Sequence, residues 1–270
     1  SSFLTSPAAM SKRLVRAKEK IRQAGIPFEV PGREDLPARL SAVLDAIYAA
    51  FTEGWTDPAG TDTARRDLTG ETLFLAHLAT ELMPDEPEAL GLAALMFHAE
   101  ARRGARRDLA GNFVPLAEQD TATWDSRLIA KADALIRRAG AKGSLGRYEL
   151  EAALQSAHAH RRLTGRNNWA EIAALYDALQ TLVASPVVAI NRALAIAELE
   201  GPGAALDAMP SADADPRLAS YQPYWAARAE LLGRWNAVAE ASQAYDMAIG
   251  LERDPAVRRF LQKKKAMLAN

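Results

Sequence analysis

Cysteine is missing from this 270-residue chain. Its absence removes disulfides, thiolate metal ligands, iron–sulfur clusters and cysteine nucleophiles together, and it fits a reducing compartment. Aromatic residues are scarce, at 7%, and so are the alternating β-branched runs that mark strands. No stretch of about 18 apolar residues occurs, so no membrane-spanning helix is expected. No secretory signal opens the chain, and a cytoplasmic location is expected. The chain begins Ser-Ser-Phe-Leu rather than with Met, which reads as processing or as excision from a longer protein.

Catalytic signatures are missing as well. There is no Gly-x-Gly-x-x-Gly turn, P-loop, His-Glu-x-x-His helix or Gly-x-Ser-x-Gly elbow. The histidines are His77, His98, His158 and His160. The last two lie about 200° apart around a predicted helix, so they cannot share an ion. Nothing assembles a nucleophile, a base and an orienting group. The chain does not read as an enzyme, and no cofactor or metal is expected.

Alanine makes up about one residue in five and apolar residues 49%, enough for a buried core and a helix-rich fold. The formal net charge of −1 hides an asymmetry. Residues 1–24 carry six basic side chains against Glu19, net +5, while the other 246 residues hold 27 basic and 33 acidic groups. A basic head on an acidic body points to a nucleic-acid contact at that end or to a merely solvated helix.

Helix signals then organise the chain. Ser6-Pro7 opens a helix that Gly25 stops, and Met10, Leu14, Ala17 and Ile21 share one face that should pack inward. Residues 25–34, with Pro27, Pro31 and Gly32, read as a linker. A helical middle domain over 35–140 follows. It holds helices near 36–52, 63–83 and 86–103, the last capped by Asp85 or Glu86 with Pro87 in its first turn. Leu109, Phe113, Val114 and Leu116 flank the turn Gly111-Asn112, which predicts a small β-hairpin near 105–118. Asp120 or Thr121 then caps a helix through about Ala139. Over 141–270, Gly165, Gly201 and Gly233 stop successive helices 36 and 32 residues apart. That brackets the 34-residue tetratricopeptide period. A helix from Trp235 to Leu251 precedes a basic helix over 255–268, read as the polar cap a repeat array needs. Acidic residues gather around the 54–63 loop. Glu53, Asp57 and Asp67 are the candidates for a polar pocket, set against helix caps and a solvated loop.

The basic head divides its labour: Ser11, Lys12, Arg13, Arg16 and Lys20 project away from the apolar stripe, as on a DNA-reading helix. Residues Thr5 to Ile21, with Arg16-Ala17-Lys18, resemble the end of region 4 of extracytoplasmic-function (ECF) sigma factors. Further along, Ile26-Pro27-Phe28, Leu36-Pro37-x-Arg39-Leu40, Leu82-x-Pro84-Asp85-Glu86-Pro87-Glu88-Ala89-Leu90-Gly91-Leu92 and Ser185-Pro186-Val187-Val188-x-x-Asn191-Arg192-Ala193 are similar to the subgroup with a long helical, tetratricopeptide-like extension. That subgroup usually shows Phe-Asn-Glu-Gly-Tyr where this chain has Phe51-Thr52-Glu53-Gly54-Trp55. The resemblance implies an all-α protein: a helix-turn-helix remnant over 1–24, the middle domain and the repeats. It implies core RNA polymerase and promoter −35 DNA as partners of the intact factor, with Ser11, Lys12, Arg13, Arg16 and Lys20 facing the DNA. It also implies that the remaining sigma regions precede Ser1. The alternative is a free-standing repeat module that binds an unidentified protein or peptide.

Overall fold

From Ala89 to Phe97 the sequence has no polar side chain, a run that a helix tolerates only when covered on every side. The fold is built around it. The computed structural model describes residues 7–25, 32, 35–55, 63–143 and 145–268. In it, α4 (Pro87–Ala101) is buried at every position from Ala89 to Ala99. Packed around α4 are α2 (Leu36–Trp55), α3 (Thr63–Leu82), α5 (Ser126–Gly140) and α6 (Arg147–Thr164).

The junction of α4 with α6 explains a motif that sequence alone leaves opaque. A Cβ on Gly91 would lie 2.5 Å from the Glu149 backbone nitrogen, so only glycine lets the two helices cross this closely. One turn earlier, Glu88 Oε1 accepts from the backbone nitrogens of Tyr148 (2.9 Å) and Glu149 (3.3 Å). The α6 N-cap, Gly146, offers no side-chain bond of its own, so a neighbouring helix supplies the carboxylate that its free N–H groups require. A Cβ on Gly146 would collide with that carboxylate.

Beyond α6 the helices stack in order: α7 (Trp169–Leu182), α8 (Pro186–Leu199), α9 (Pro202–Ala208), α10 (Gln222–Arg234), α11 (Val238–Leu251) and α12 (Pro255–Met267), with α8 also touching α10. Asn168, Ser185 and Asp254 cap α7, α8 and α12 through side-chain oxygens. The helix α1 (Pro7–Gln23) precedes them all. Among the described residues there are twelve α-helices and no strand, as expected for an all-α chain.

Three local expectations are corrected. The hairpin near 105–118 reduces to a single antiparallel bridge between Arg107 and Phe113. Asp108 closes the turn by accepting from the backbone of Ala110 and Asn112 and from the Asn112 amide. Pro115 has no N–H to extend a ladder, and the chain goes straight into a 3₁₀ turn at Leu116–Glu118. Asp120 caps only a 3₁₀ turn over Thr121–Thr123, whereas α5 starts at Ser126 under Asp125. Lastly, Gly165 and Gly201 do stop helices with positive φ, but Gly233 lies inside α10 and the left-handed residue is Asn236, φ 63°. Trp235 therefore ends α10 rather than opening α11, and its ring covers Gly203.

Candidate functional site

The even-numbered helices supply much of one continuous wall, to which α7 adds Tyr176 and Leu179 and α11 adds Tyr245. From α2, α4, α6 and α8 come Tyr48, Leu95, Gln155 and Asn191, which line a cavity of about 490 Å³. From α8, α10 and α12 come Ile190, Ala227 and Phe260, which line a second of about 440 Å³. Val187, Asn191 and Tyr221 belong to both, so the two join into one concave groove. The loop after α4 closes one side. Its Phe113 meets the Phe260 ring edge-on at 5.4 Å, and Arg107 pairs with Asp254 at the start of α12. The residues read as a hairpin thus tie the middle helices to the last one.

The two halves of the groove differ chemically. In the first, Arg147 bonds Glu151 Oε1 at 2.8 Å and Asp45 Oδ1 at 3.2 Å, and the Tyr148 hydroxyl donates to Asp45 at 2.6 Å. This network fixes α2 against α6. Burial raises the Tyr48, Tyr176 and Tyr221 hydroxyls above the usual phenol range, and Glu151 adds to the effect on the first two. All three stay neutral, as hydrogen-bonding groups on aromatic bodies. Asn191 spends its amide on the Val187 carbonyl at 3.0 Å. The second half is apolar, with Glu230 held at the rim by the Tyr245 hydroxyl (3.2 Å) and Lys264 (3.6 Å). A concave surface with apolar pockets and a few neutral polar groups suits a bound chain segment.

The basic head stands apart from this groove. On α1, Lys12, Arg16 and Lys20 are exposed, while the side chains of Ser11 and Arg13 lie outside the described residues. Of its apolar stripe, the side chains of Met10 and Leu14 lie outside the described residues, and the other two do not pack inward as expected. Ala17 is exposed and Ile21 keeps 53% of its surface. Of the acidic trio, Glu53 is exposed on α2 and Asp67 on α3, neither lines the groove, and Asp57 lies outside the described residues. Among the described residues no cluster of histidine and carboxylate side chains could hold a metal ion. His98 instead faces Asp133 at 3.2 Å, and Ser156 donates to the same carboxylate at 2.8 Å, joining α4, α5 and α6. His158 packs edge-on against Trp169, with burial and the nearby Arg102 and Arg161 pushing it down to about 4.

The repeat reading implies a concave binding surface, but the sequence did not single out the tyrosines or other residues that line it, because its walls come from helices far apart in sequence. The alternating helix pattern was the available signal.

Residues 39–140, from within α2 to the end of α5, match a family described as being of unknown function (DUF6596). An uncharacterized protein of Rhizobium meliloti (strain 1021) is 38% identical over 271 residues, which cover 99% of this chain and 63% of that protein. The chain thus spans a little under two thirds of the length of this relative. No solved structure matches.

Proposed function

We propose that this chain is the C-terminal portion of an ECF-type RNA polymerase sigma factor, in which α1 reads the −35 element and the helical extension docks a protein segment in its groove. The observation that carries the proposal is the contrast between α1 and everything after it. Lys12, Arg16 and Lys20 are exposed, and so are Ala17 and Ile21 of the apolar stripe, as on a recognition helix whose packing helices are contributed from elsewhere. The resemblance of residues 5–21 to region 4 supports the same assignment. The extension is read as a tetratricopeptide-like array, supported by the packing of successive helices in chain order from α6 to α12 and by the glycine stops at 165 and 201. The role is regulatory rather than enzymatic.

Binding of this chain to a short duplex, followed by fluorescence anisotropy across salt concentrations, tests the DNA role. One phosphate contact contributes about −0.9 to the slope of log K against log salt. The variant K12Q/R16Q/K20Q is expected to flatten that slope by about 2 to 3 with unchanged helicity. An unchanged slope sinks the DNA-reading role. The second reading, a free-standing peptide-binding module, is favoured by the groove alone and requires no effect of the α1 substitutions on partner capture.

A further inference from the structure

Where α2 ends against the end of α4, guanidinium groups gather on one aromatic ring. Three lie over the Trp55 ring: Arg106 at 4.6 Å, Arg103 at 4.8 Å and Arg102 at 5.9 Å from its centroid. A fourth, Arg107, is adjacent in sequence and pairs with Asp254. Arg103 donates to Glu100 Oε2 at 2.7 Å, yet its Nη2 is buried without a partner. Among the described residues, Arg102 and Arg106 bond to neutral acceptors, Gln155 Oε1 at 2.9 Å and the Trp55 carbonyl at 3.1 Å.

Among the described residues the charge balance at this point is unfavourable. Burial and the neighbouring guanidinium groups push Arg106 down to about 10, with Asp254 alone opposing. Burial pushes Arg102 down too, and no carboxylate among the described residues opposes it. Partly buried cations without a counter-charge are destabilising unless something neutralises them. All three side chains over Trp55 remain partly exposed, so the cluster is reachable from solvent. Planar guanidinium forks match the geometry of tetrahedral oxyanions, and an aromatic face below holds the forks in place.

We propose that Arg102, Arg103 and Arg106 on Trp55 form a binding site for a phosphate-class oxyanion, either inorganic phosphate or the phosphoryl group of a small molecule. Gln155, the partner of Arg102, also lines the groove. Occupancy of the site therefore acts on a groove wall.

The test is thermal unfolding of the full chain in sodium phosphate against sodium chloride at matched ionic strength. The expected result is a saturable rise of roughly 3–5 °C at about ten times the dissociation constant. R102Q and R106Q are each expected to abolish it, whereas R127Q, an exposed arginine on α5, leaves it intact. Without phosphate, R106Q is expected to melt no lower than the parent, because it relieves repulsion; a purely structural arginine would melt lower. Adenosine monophosphate in place of inorganic phosphate separates a phosphorylated ligand from free phosphate, and a response to either supports the site. A phosphate response no larger than that of chloride overturns the proposal. So does a response that survives in both variants, or one seen only with citrate or only with duplex DNA. If the variants fail to fold, the ³¹P resonance of phosphate titrated with the parent chain decides instead: saturable broadening supports the site, and an unbroadened line overturns it.

Discussion

Replacing Gly91 by alanine should show how closely α4 and α6 are joined. The added methyl would sit 2.5 Å from the Glu149 nitrogen, 2.7 Å from the Tyr148 carbonyl carbon and 2.8 Å from the Glu149 Cα. All three are backbone atoms at the start of a helix, so no flexible side chain can swing away. Overpacking of this kind costs about 1–3 kcal/mol, and the rigidity of both partners places it near 3. The gain in helix propensity from glycine to alanine returns about 1 kcal/mol. The net loss is about 2 kcal/mol, or roughly 4–8 °C in Tm. Gly70 supplies the control: it lies exposed within α3, and a Cβ there meets nothing within 4 Å. G70A should therefore stabilise by up to about 1 kcal/mol. Both variants can be measured by circular dichroism and urea unfolding. The α6 N-terminus carries Arg147 and Glu151, so G91A should also loosen the α2–α6 network that walls the groove. If G91A behaves like G70A, the close crossing, and the role of Glu88 in capping α6, are wrong.

Other perturbations follow from the same contacts. His158 is held neutral, with its folded value near 4 below the ordinary 6.5. Its contribution is fully present above pH 6.5 and is lost as pH falls toward 4, because the unfolded chain takes up the proton first. The expected loss over that window is about 2–3 kcal/mol, and H158Q should flatten the pH dependence of urea unfolding there; an unchanged profile refutes it. Asp254 both caps α12 and pairs with the largely buried Arg107. D254A should cost about 3–5 kcal/mol and raise hydrogen exchange across Pro255–Met267, while an isolated change in exposed charge would do neither. Asp133 is held below the usual carboxylate range by His98 first and Ser156 after it. D133N should therefore lessen the loss of stability on acidification below about pH 4, where the parent must protonate this group.

Much of the fold was legible in the sequence because its helices announce their ends locally. Ser185-Pro186 and the glycines at 165 and 201 carry their stop and start chemistry in the chain itself. The helix boundary at Gly233 misled because glycine there serves close packing against Leu268, while Asn236 takes the left-handed turn. The loop at 104–122 misled because its apolar residues do not face one another: Phe113 meets Phe260 about 150 residues away, Leu116 packs beside Trp124, and Leu109 stays exposed. The basic head was visible as a charge pattern, but the exposure of Ala17 and Ile21 was not, since periodicity reports a face and not what covers it. The arginines over Trp55 gave no signal either: consecutive charges such as Arg102-Arg103 and Arg106-Arg107 read as a solvated surface until the tertiary fold buries them.

Whether α1 reads promoter DNA within a sigma factor is decided by run-off transcription from the complete gene product with core RNA polymerase, comparing the parent with R16A. An arginine that forks onto a base edge carries about 1–3 kcal/mol. Promoter-dependent transcript should therefore fall about 5- to 150-fold in R16A, with helicity and Tm unchanged. A complete gene product that yields no polymerase-dependent transcript, or an R16A variant as active as the parent, would contradict the sigma-factor reading and leave a helical module defined by its groove.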